Sequence, residues 1–500
     1  LLSMPSKFQN YIAGQWCNSA DGRTFENRNP AVWNEILGTF PLSTKEDINR
    51  AANAALAAFK EWRLVPAPER GDIMRKAGEI MVLRKDEIAA IMTREMGKPL
   101  TETKGDVQEG IDTAFYCATE GRRLFGINTP SELRNKMNLS FRIPIGVCGL
   151  ITPWNFPMAI PSWNIFPGLV AGNTFVFKPA EDTPWTANVL AEILIEAGLP
   201  SGCLNIVHGA GSVVGAAITE HPDILAVSFT GSTSTGAIVA QSCGKRTKHV
   251  CLEMGGKNAQ IVMADADLDL AIEGVLWGAF GTTGQRCTAT SRLILHEKIH
   301  DELIERLVKQ ASKLRLGNGL DSKTDVGPII NEKQRKNIER YVKVGKEEGA
   351  KCILGGEVAE DGNLKNGWFF QPTIFTNVKP EMRIAKEEIF GPVLSVLKCR
   401  SLEEAIAINN SVMYGLSSSI YTRDINSAMQ AARDIEAGIT YINAATIGAE
   451  AHMPFGGVKA TGNGHREGGW AVFDFYTEWK SVYIDFSGKL QRAQIDTESV

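Results

Sequence analysis

Two residues in this chain have the chemistry of a nucleophile and of a base. Cys287 lies in Phe-Gly-Thr-Thr-Gly-Gln-Arg-Cys-Thr (residues 280–288), among small and polar side chains rather than in an apolar run. Glu253 lies upstream, in Leu-Glu-Met-Gly-Gly-Lys (residues 252–257). A thiol is already nucleophilic at neutral pH, and a carboxylate can act as general base towards water. If the fold brings the two together, they can form a thioester and then hydrolyse it.

A third residue, Asn155, has the chemistry of an oxyanion donor. It lies in the turn Pro-Trp-Asn-Phe-Pro (residues 153–157), directly after a strand-like apolar stretch. An amide N–H beside a reacting carbonyl stabilises the negative charge that develops on the oxygen. An asparagine in a proline-rich turn is more often a plain turn residue, so this role depends on what the fold places beside it.

Two turns that follow predicted strands have the residues to bind phosphate and ribose. The strand Ala226–Phe229 runs into Thr230–Gly236 and then a helix, so backbone N–H groups and the Ser232 hydroxyl would face a phosphate. Another buried strand runs into Lys178-Pro-Ala-Glu181. A carboxylate at that position, Glu181, would accept from ribose hydroxyls and repel a 2′-phosphate, which favours NAD over NADP. Taken alone, both turns are equally consistent with ordinary connections and solvated side chains.

The bulk composition excludes several kinds of partner. The chain has 500 residues and a net charge of −4, which gives no support to a nucleic-acid or anionic-membrane partner. No apolar run approaches the ~20 residues that span a bilayer. The nine cysteines and the histidines are scattered, which predicts no metal site and favours a reducing compartment. Residues 1–7 lack the segments of a signal peptide, so we expect a cytoplasmic protein.

The order of helical and strand-like patterns predicts an α/β architecture with parallel sheets. Ser43 and Glu46 fit a capping box before a helix over Asp47–Trp62. Further predicted elements are strands at Gly146–Ile151, Thr174–Phe177, Ala226–Phe229, Ala259–Val262, Gly391–Val396 and Ile439–Ile442, and helices at Leu190–Ala197 and 299–311. Residues 137–144 and 482–486 alternate apolar with polar side chains. Such strands form either an arm that pairs with another subunit or a half-exposed hairpin.

Seven collinear motifs give the chain its resemblance to the aldehyde dehydrogenase superfamily, over nearly its full length. They are Pro-Trp-Asn-Phe-Pro (153–157), Lys-Pro-Ala-Glu (178–181), Phe-Thr-Gly-Ser-Thr (229–233), Glu-Met-Gly-Gly-Lys (253–257), Gly-Gln-Arg-Cys (284–287), Glu-Glu-Ile-Phe-Gly-Pro (387–392) and Pro-Phe-Gly-Gly-Val-Lys (454–459). The resemblance implies that Cys287 attacks an aldehyde. It also implies that Asn155 holds the oxyanion and that Glu253 activates water to hydrolyse the thioester.

The same resemblance implies the cofactor, the sites and the domains. The cofactor is NAD, and its implied contacts are Ile151, Trp154, Lys178, Glu181, Gly211, Phe229, Gly231, Ser232, Gln334, Glu388 and Phe390. The implied substrate contacts are Phe156, Trp163 and Arg286. The family fold assigns residues 1–125 and 145–256 to a Rossmann-like NAD-binding domain and 257–468 to a catalytic domain. It assigns 126–144 and 469–495 to an oligomerisation arm and C-terminal tail, which implies a homodimer or homotetramer.

Three stretches resemble the branch that acts on semialdehydes carrying a carboxylate, such as 2-oxoglutarate or aminoadipate semialdehyde. They are residues 284–292, residues 459–467 and the tail Phe-Ser-Gly-Lys-Leu-Gln-Arg-Ala-Gln. Our hypothesis is that Arg286 pairs with the distal carboxylate of the substrate. The alternative is that Arg286 fixes the catalytic loop, and it is at least as well supported as the first hypothesis.

Other functions remain open at this stage. One is a general NAD-dependent aldehyde dehydrogenase with no preference for acidic substrates. Another is an enzyme that passes the acyl group to CoA, which the water-activating Glu253 disfavours because that transfer needs no such base. A non-catalytic relative and a simple cysteine hydrolase are disfavoured by the combination of Asn155, Glu253, Cys287 and Glu388 and by the cofactor motifs.

Overall fold

The protein is described by a computed structural model over residues 7–495, in which strands and helices alternate as the sequence predicts. Residues 1–6 lie outside this range; they belong to the segment considered for a signal peptide and to the first predicted domain. Within residues 7–495, no helix is both long and apolar enough to cross a membrane.

The strands and helices have the following bounds. The strands are β1 (Asn10–Ile12), β2 (Gln15–Cys17), β3 (Thr24–Arg28), β4 (Ile36–Pro41), β5 (Ile127–Pro130), β6 (Lys136–Pro144), β7 (Val147–Ile151), β8 (Thr174–Lys178), β9 (Leu204–Ile206), β10 (Ile224–Thr230), β11 (His249–Glu253), β12 (Ala259–Val262), β13 (Arg292–His296), β14 (Lys351–Leu354), β15 (Thr373–Thr376), β16 (Val393–Cys399), β17 (Tyr414–Gly415), β18 (Ser417–Tyr421), β19 (Ile439–Ile442), β20 (Val458–Lys459) and β21 (Thr477–Asp485). The helices are α1 (Lys45–Trp62), α2 (Ala67–Leu83), α3 (Lys85–Met96), α4 (Leu100–Glu120), α5 (Ala159–Ala171), α6 (Pro184–Glu196), α7 (Ala216–Glu220), α8 (Thr233–Gly244), α9 (Leu268–Phe280), α10 (His300–Ala311), α11 (Glu332–Glu347), α12 (Arg383–Lys386), α13 (Leu402–Asn410), α14 (Ile425–Asp434) and α15 (Val472–Tyr476).

The first large sheet has the strand order β11-β10-β7-β8-β9-β1-β2, with parallel pairing from β11 to β9 and antiparallel pairing at the β1 and β2 edge. Its register aligns the carboxyl ends of four neighbouring strands. Ile151 pairs with Lys178 on one side and with Phe229 on the other, and Thr230 pairs with Glu253. Ligands of open α/β sheets bind beyond such an edge, so the register alone gathers four of the predicted site residues.

The second large sheet has the order β14-β15-β16-β13-β12-β18-β19 and is parallel except for β14. Its core consists of branched and aromatic side chains on both faces, as expected for a parallel sheet covered by helices. Residues 254–258 link the last strand of the first sheet, β11, to β12 in the middle of the second. The predicted α/β fold is confirmed.

The predicted capping box of the first helix is wrong by one residue. Helix α1 begins at Lys45, and its cap is Thr44, whose hydroxyl accepts from the Glu46 backbone N–H at 3.2 Å. The Asp47 carboxylate in turn accepts from the Thr44 backbone N–H at 2.9 Å. Ser43, the predicted cap, instead accepts a hydrogen bond from the Asn10 side chain at 2.8 Å. Two adjacent hydroxyl residues fit the same pattern, and tertiary contacts decide between them.

Most other predicted elements are confirmed with small shifts at their ends. Ala259–Val262 and Ile439–Ile442 are strands with the predicted bounds, whereas the strand predicted at Gly391–Val396 is Val393–Cys399. The helix predicted at Leu190–Ala197 begins six residues earlier, at Pro184, a residue well suited to a first helical turn.

The two alternating segments near residues 140 and 480 form a separate antiparallel sheet. Strand β21 pairs with β6 from Thr477 opposite Pro144 to Asp485 opposite Lys136, and β5 pairs along the other edge of β6. The sheet exposes large apolar side chains, including Phe141, Trp479 and Tyr483. The two segments are therefore strands outside the two large sheets, as predicted. Strand β6 forms a hairpin with β5, and β21 adds to its other edge.

Candidate active site

The loop that carries Cys287 is fixed by an asparagine side chain from the neighbouring sheet. The Asn258 amide donates to the Cys287 carbonyl at 2.7 Å and to the Ala289 carbonyl at 2.9 Å, while its oxygen accepts from the Ser417 backbone N–H at 3.0 Å. Gly256 lies directly below, where a Cβ atom would be 2.6 Å from the Cys287 carbonyl oxygen. Only glycine fits at that position without moving the nucleophile.

The predicted base, Glu253, is the last residue of β11 and is almost completely buried. Among residues 7–495, neither carboxylate oxygen has a hydrogen-bond partner. Burial raises the pKa of this carboxyl well above its usual range, the nearby Glu467 raises it further, and the charge of Arg466 opposes both. Gly456 approaches closely, since a Cβ atom there would lie 2.4 Å from a Glu253 oxygen. A carboxylate in this setting is a strong proton acceptor.

A second buried carboxylate, Glu467, was not among the predicted site residues. One oxygen accepts from the Asn164 amide at 2.9 Å and from the Thr230 hydroxyl at 3.3 Å, and the other has no hydrogen-bond partner in the described part of the chain. Burial raises its pKa to about 7. The only sequence signal was its place at the end of the stretch 459–467, where a charged residue normally indicates a solvated loop.

The side chain of Asn155 points to the nucleophile loop. Its amide donates to the Gln285 carbonyl at 3.1 Å, and its own backbone carbonyl accepts from the ammonium of Lys98 at 2.9 Å. Lys98 forms a fully buried ion pair with Asp106 at 2.7 Å, and Asp106 also accepts from the Ala159 backbone N–H at 2.8 Å. This network holds Asn155 beside the Cys287 loop, and both residues line the larger cavity.

The surroundings of the Cys287 thiol oppose its ionisation. Burial raises its pKa to about 12, with further contributions from the charges of Glu388, Glu253 and Glu467. In the absence of a bound cation, the side chain is therefore a neutral thiol at physiological pH. A positively charged group beside Cys287 would lower this pKa by the same Coulombic effect.

Two cavities meet at the nucleophile and the base. The larger, about 290 Å³, is lined by Trp154, Gly231, Ser232, Gln334, Glu388 and Phe390. The smaller, about 50 Å³, is lined by Phe156, Trp163, Arg286, Phe455, Glu109 and Glu467. Cys287 and Glu253 line both cavities. The predicted cofactor and substrate residues thus fall on opposite sides of the reacting pair.

The remaining predicted cofactor residues lie along the carboxyl edge of the first sheet rather than in the larger cavity. Lys178 donates to Glu181 at 2.7 Å, and the other oxygen of Glu181 accepts from the Gly211 backbone N–H at 3.0 Å. The side chains of Ile151 and Phe229 are mostly buried in the core beneath this edge.

Gln334 and Phe390 form one local unit. The Gln334 amide donates to the carbonyls of Ile389 at 2.9 Å and Phe390 at 2.8 Å, while the Phe390 backbone has a φ of 57°. The Phe390 ring meets the Trp154 ring edge to face, with centroids 5.4 Å apart. Gln334 therefore holds a strained turn that closes one wall of the larger cavity.

Protein groups bind the Nε and Nη2 atoms of Arg286. Its Nη2 atom lies 2.9 Å from a Glu102 oxygen, and its Nε atom donates to the Thr282 hydroxyl at 2.8 Å. The guanidinium also stacks over the Trp277 ring, 4.8 Å from its centroid. Within residues 7–495, the Nη1 atom has no hydrogen-bond partner. This geometry supports the loop-fixing alternative and leaves one donor group for a ligand.

Comparison with known proteins decides the family. The aldehyde dehydrogenase family model matches residues 16–482. The chain belongs to the aldehyde dehydrogenase family. An alpha-ketoglutaric semialdehyde dehydrogenase of Bacillus subtilis is 44% identical over 97% of this chain and 99% of that protein. A malonate-semialdehyde dehydrogenase of Halalkalibacterium halodurans is 40% identical over 96% and 99% of the two chains.

A solved structure shows the same fold with a nucleotide bound. Betaine aldehyde dehydrogenase of Staphylococcus aureus in complex with NAD⁺ superposes with a TM-score of 0.94, at 35% identity, over 96% of this aldehyde dehydrogenase and 95% of that chain. The protein is therefore an oxidoreductase that uses a nicotinamide dinucleotide, NAD or NADP. Its predicted family and activity are confirmed.

The residues of the larger cavity fit such a dinucleotide. Ser232 caps the N-terminus of the 12-residue helix α8, which offers backbone N–H groups to a phosphate. Gly231 lies on the Phe229 ring, which a Cβ atom would approach to 2.6 Å. The carboxylate of Glu388, which accepts from the Gly256 backbone N–H at 2.9 Å, is an acceptor for ribose hydroxyls. This enzyme would thus hold the cofactor with Ser232 and Glu388.

We expect that replacing Glu388 with Gln speeds the alkylation of Cys287 by iodoacetamide. Burial raises the pKa of Glu388 to about 7, so the residue is charged at pH 8 and opposes formation of the thiolate. Each unit by which the thiol pKa falls raises the thiolate fraction about tenfold. The rate is followed by mass spectrometry of the Cys287 peptide in the absence of cofactor.

The matched control is Glu387→Gln, which removes the adjacent carboxylate, bonded to Arg383 and Tyr341 instead. It should leave the rate unchanged. The acceleration in the Glu388 variant should appear at pH 8 and vanish near pH 5, where Glu388 is protonated. An unchanged or slower alkylation at pH 8 would contradict the electrostatic account.

Proposed function

We propose that this enzyme oxidises a semialdehyde that carries a distal carboxylate, with NAD as the oxidant and water as the acyl acceptor. The observation that carries the proposal is that one cavity with cofactor residues and one with an arginine meet at Cys287 and Glu253. Two relatives that match nearly the whole chain act, by their names, on alpha-ketoglutaric semialdehyde and malonate semialdehyde.

The first half of the proposed reaction is oxidation of the aldehyde on the thiol. The Cys287 thiol gives its proton to water, and its sulfur attacks the carbonyl carbon, so that the carbonyl π bond breaks and the aldehyde oxygen becomes an oxyanion. The Asn155 amide, with the Cys287 backbone N–H, donates to that oxygen. The bound cofactor supplies the hydride acceptor, so that collapse of the thiohemiacetal leaves a thioester on Cys287.

The second half is hydrolysis. Glu253 takes a proton from a water molecule, and the resulting hydroxide attacks the thioester carbon. The carbon–sulfur bond breaks, which releases the carboxylic acid and returns Cys287. The raised pKa of Glu253 suits this step, since a base with a higher pKa accepts a proton from water more readily. The same raised pKa implies that turnover falls as the pH is lowered and Glu253 becomes protonated.

The cofactor preference rests on Glu181. Its carboxylate lies at the end of β8, tied to Lys178 and to the Gly211 backbone. A 2′-phosphate beside this carboxylate would be repelled, whereas a free ribose hydroxyl can donate to it. We therefore propose NAD rather than NADP.

Recognition of the distal carboxylate is assigned to Arg286. Two of its nitrogen atoms fix the loop, and Nη1 remains for the ligand in a narrow cavity whose lining includes the aromatic rings of Phe156, Trp163 and Phe455. A charge-assisted hydrogen bond in a narrow cavity contributes more than one in bulk water.

We also propose the predicted domain division and assembly. The first sheet would correspond to the NAD-binding domain, the second to the catalytic domain and the β5-β6-β21 sheet to an oligomerisation arm. Support comes from the apolar side chains that this third sheet exposes. All nine cysteines are free thiols, in keeping with a cytoplasmic location.

The direct test is the rate of NADH or NADPH formation with a panel of aldehydes. Propanal, benzaldehyde and betaine aldehyde are compared with succinic, malonate and 2-oxoglutarate semialdehydes. We expect kcat/KM to be at least about tenfold higher for the acidic aldehydes, or ~1.4 kcal/mol in transition-state binding, and higher with NAD than with NADP. A flat profile over the panel would leave a general aldehyde dehydrogenase and remove the proposed role of Arg286.

Glu109 makes the acid preference depend on pH. This residue of α4 lines the substrate cavity, and burial, then the charge of Asp106, raise its pKa to about 8, against the opposing charges of Arg286 and Lys98. Below pH 8 its carboxyl is neutral, and above pH 8 it repels a substrate carboxylate. The ratio of KM for an acidic aldehyde to KM for propanal should therefore rise as the pH passes 8.

Glu109→Gln should abolish this rise, because the amide stays neutral. Asp112→Asn, which removes an exposed carboxylate one turn further along α4, is the matched control and should retain the rise. The ratio of two KM values cancels the titration of groups that act on every aldehyde. A ratio that is independent of pH in the wild type, or that rises equally in the Glu109 variant, would contradict the assignment.

A further inference from the structure

Three acidic residues on one face of helix α4 each contact a different part of the active site. Glu102, Asp106 and Glu109 have the spacing that aligns side chains along a helix. Asp106 holds Lys98, which in turn holds the Asn155 carbonyl. Glu109 lines the substrate cavity. Glu102 reaches the loop that precedes Cys287, and neither the proposed reaction nor substrate recognition uses it.

That loop has a backbone conformation that its side chains disfavour. Thr282 and Thr283 have φ values of 52° and 57°, in the left-handed region that β-branched residues rarely adopt. Such a conformation persists only where surrounding contacts hold it. The loop therefore needs partners, and the contacts that it makes show which residues supply them.

Glu102 supplies contacts at both ends of the turn. Its Oε1 atom accepts from the Thr282 backbone N–H at 3.0 Å, and its Oε2 atom accepts from the Thr282 hydroxyl and from Arg286 Nη2, the latter at 2.9 Å. The Thr282 hydroxyl also accepts from Arg286 Nε at 2.8 Å, which closes a ring of hydrogen bonds. The Glu102 side chain is only 3% exposed, so these contacts are not screened by water.

We propose that Glu102 is a positioning residue, which holds residues 282–286 in their left-handed turn and thereby fixes Cys287 against the Asn155 amide. The inference rests on the proposed role of Cys287 as nucleophile. Glu102 does not touch the thiol and is not among the charges that raise its pKa. Its effect is therefore on the position of the sulfur atom and not on its ionisation.

The opposite side of the turn has separate anchors. The Thr283 hydroxyl donates to the Gly327 carbonyl at 2.9 Å, and the Gln285 oxygen accepts from the Ile330 backbone N–H at 3.0 Å. These contacts remain when Glu102 is replaced. A Glu102 variant should therefore keep the loop attached to the protein while its nucleophile is misplaced.

The test is the rate of Cys287 alkylation by iodoacetamide between pH 7 and pH 10 in Glu102→Gln, together with kcat and KM for the neutral substrate propanal. We expect the alkylation rate at every pH in this range and kcat to fall by about 10- to 100-fold, the loss typical of a small misplacement. The pH dependence of the alkylation rate and the KM for NAD should stay as in the wild type. A fall of the alkylation rate confined to one part of the pH range would overturn the proposal, as would wild-type alkylation and kcat.

The matched control is Glu95→Gln. Glu95 is an equally buried carboxylate that accepts from the Trp185 and Thr186 backbone N–H groups and the Thr186 hydroxyl, outside both cavities. This variant should lose thermal stability but keep the wild-type alkylation rate. Equal losses of the alkylation rate in both variants would show a general effect of removing a buried carboxylate and would overturn the proposal.

A double-mutant cycle tests whether Arg286 holds the turn together with Glu102, apart from its proposed role in substrate binding. If Glu102 and Arg286 act through one ring of contacts, Glu102→Gln/Arg286→Gln should alkylate no more slowly than the slower single variant. If the double variant loses the product of the two single losses in alkylation rate, Glu102 and Arg286 do not act through a shared ring of hydrogen bonds. Thr282→Val, which keeps the side-chain shape and removes the shared hydroxyl, gives the same test if Glu102→Gln does not fold. Alkylation requires no aldehyde, so these outcomes are independent of the proposed substrate.

Discussion

The site depends on a buried carboxylate, Glu253, which has no hydrogen-bond partner among residues 7–495 and lines the same two cavities as the Cys287 thiol. An unpaired buried charge is among the least favourable arrangements in a protein, and it is usually relieved by a shifted pKa. Here the pKa of Glu253 is raised, and Glu467 adds to the effect. The surrounding chain packs closely against the carboxylate, and the Gly456 backbone is so near that a Cβ atom there would clash with a Glu253 oxygen. The same desolvation that makes the carboxylate costly also makes it an effective base.

The short link between the two large sheets, residues 254–258, brings the base and the nucleophile together. The base ends β11, and the link then passes directly beneath the nucleophile. Gly255 makes room for the Glu388 carboxylate, and Gly256 makes room for the Cys287 carbonyl. Asn258 completes the link by holding that carbonyl with its amide. The spacing in Glu-Met-Gly-Gly-Lys-Asn is thus set by contacts to both halves of the site, and a side chain at either glycine would displace a reacting group.

The parts of the fold that depend on local pattern could be predicted from the sequence, and the parts that depend on tertiary contacts could not. Ala259–Val262 was predicted residue for residue, because buried parallel strands are short apolar runs between turns. The motif residues Asn155 and Cys287 were placed by resemblance, and the structure brings them to adjacent segments. Glu102 and Glu109 were missed, because charges on a helix as polar as residues 100–110 ordinarily indicate a solvated face. Only the tertiary structure shows that Glu102 is buried against the catalytic loop and that Glu109 lines the smaller cavity.

The most direct test of the account is to trap the acyl group on Cys287. Glu253→Gln is mixed with NAD and the preferred aldehyde, NADH is measured by absorbance, and the protein is digested for mass spectrometry. If Cys287 is the nucleophile and Glu253 the base, NADH forms in a single burst equal to the number of active sites and the Cys287 peptide gains the mass of the acyl group. Sustained turnover at the wild-type rate, or an unmodified Cys287 after the burst, would contradict the account.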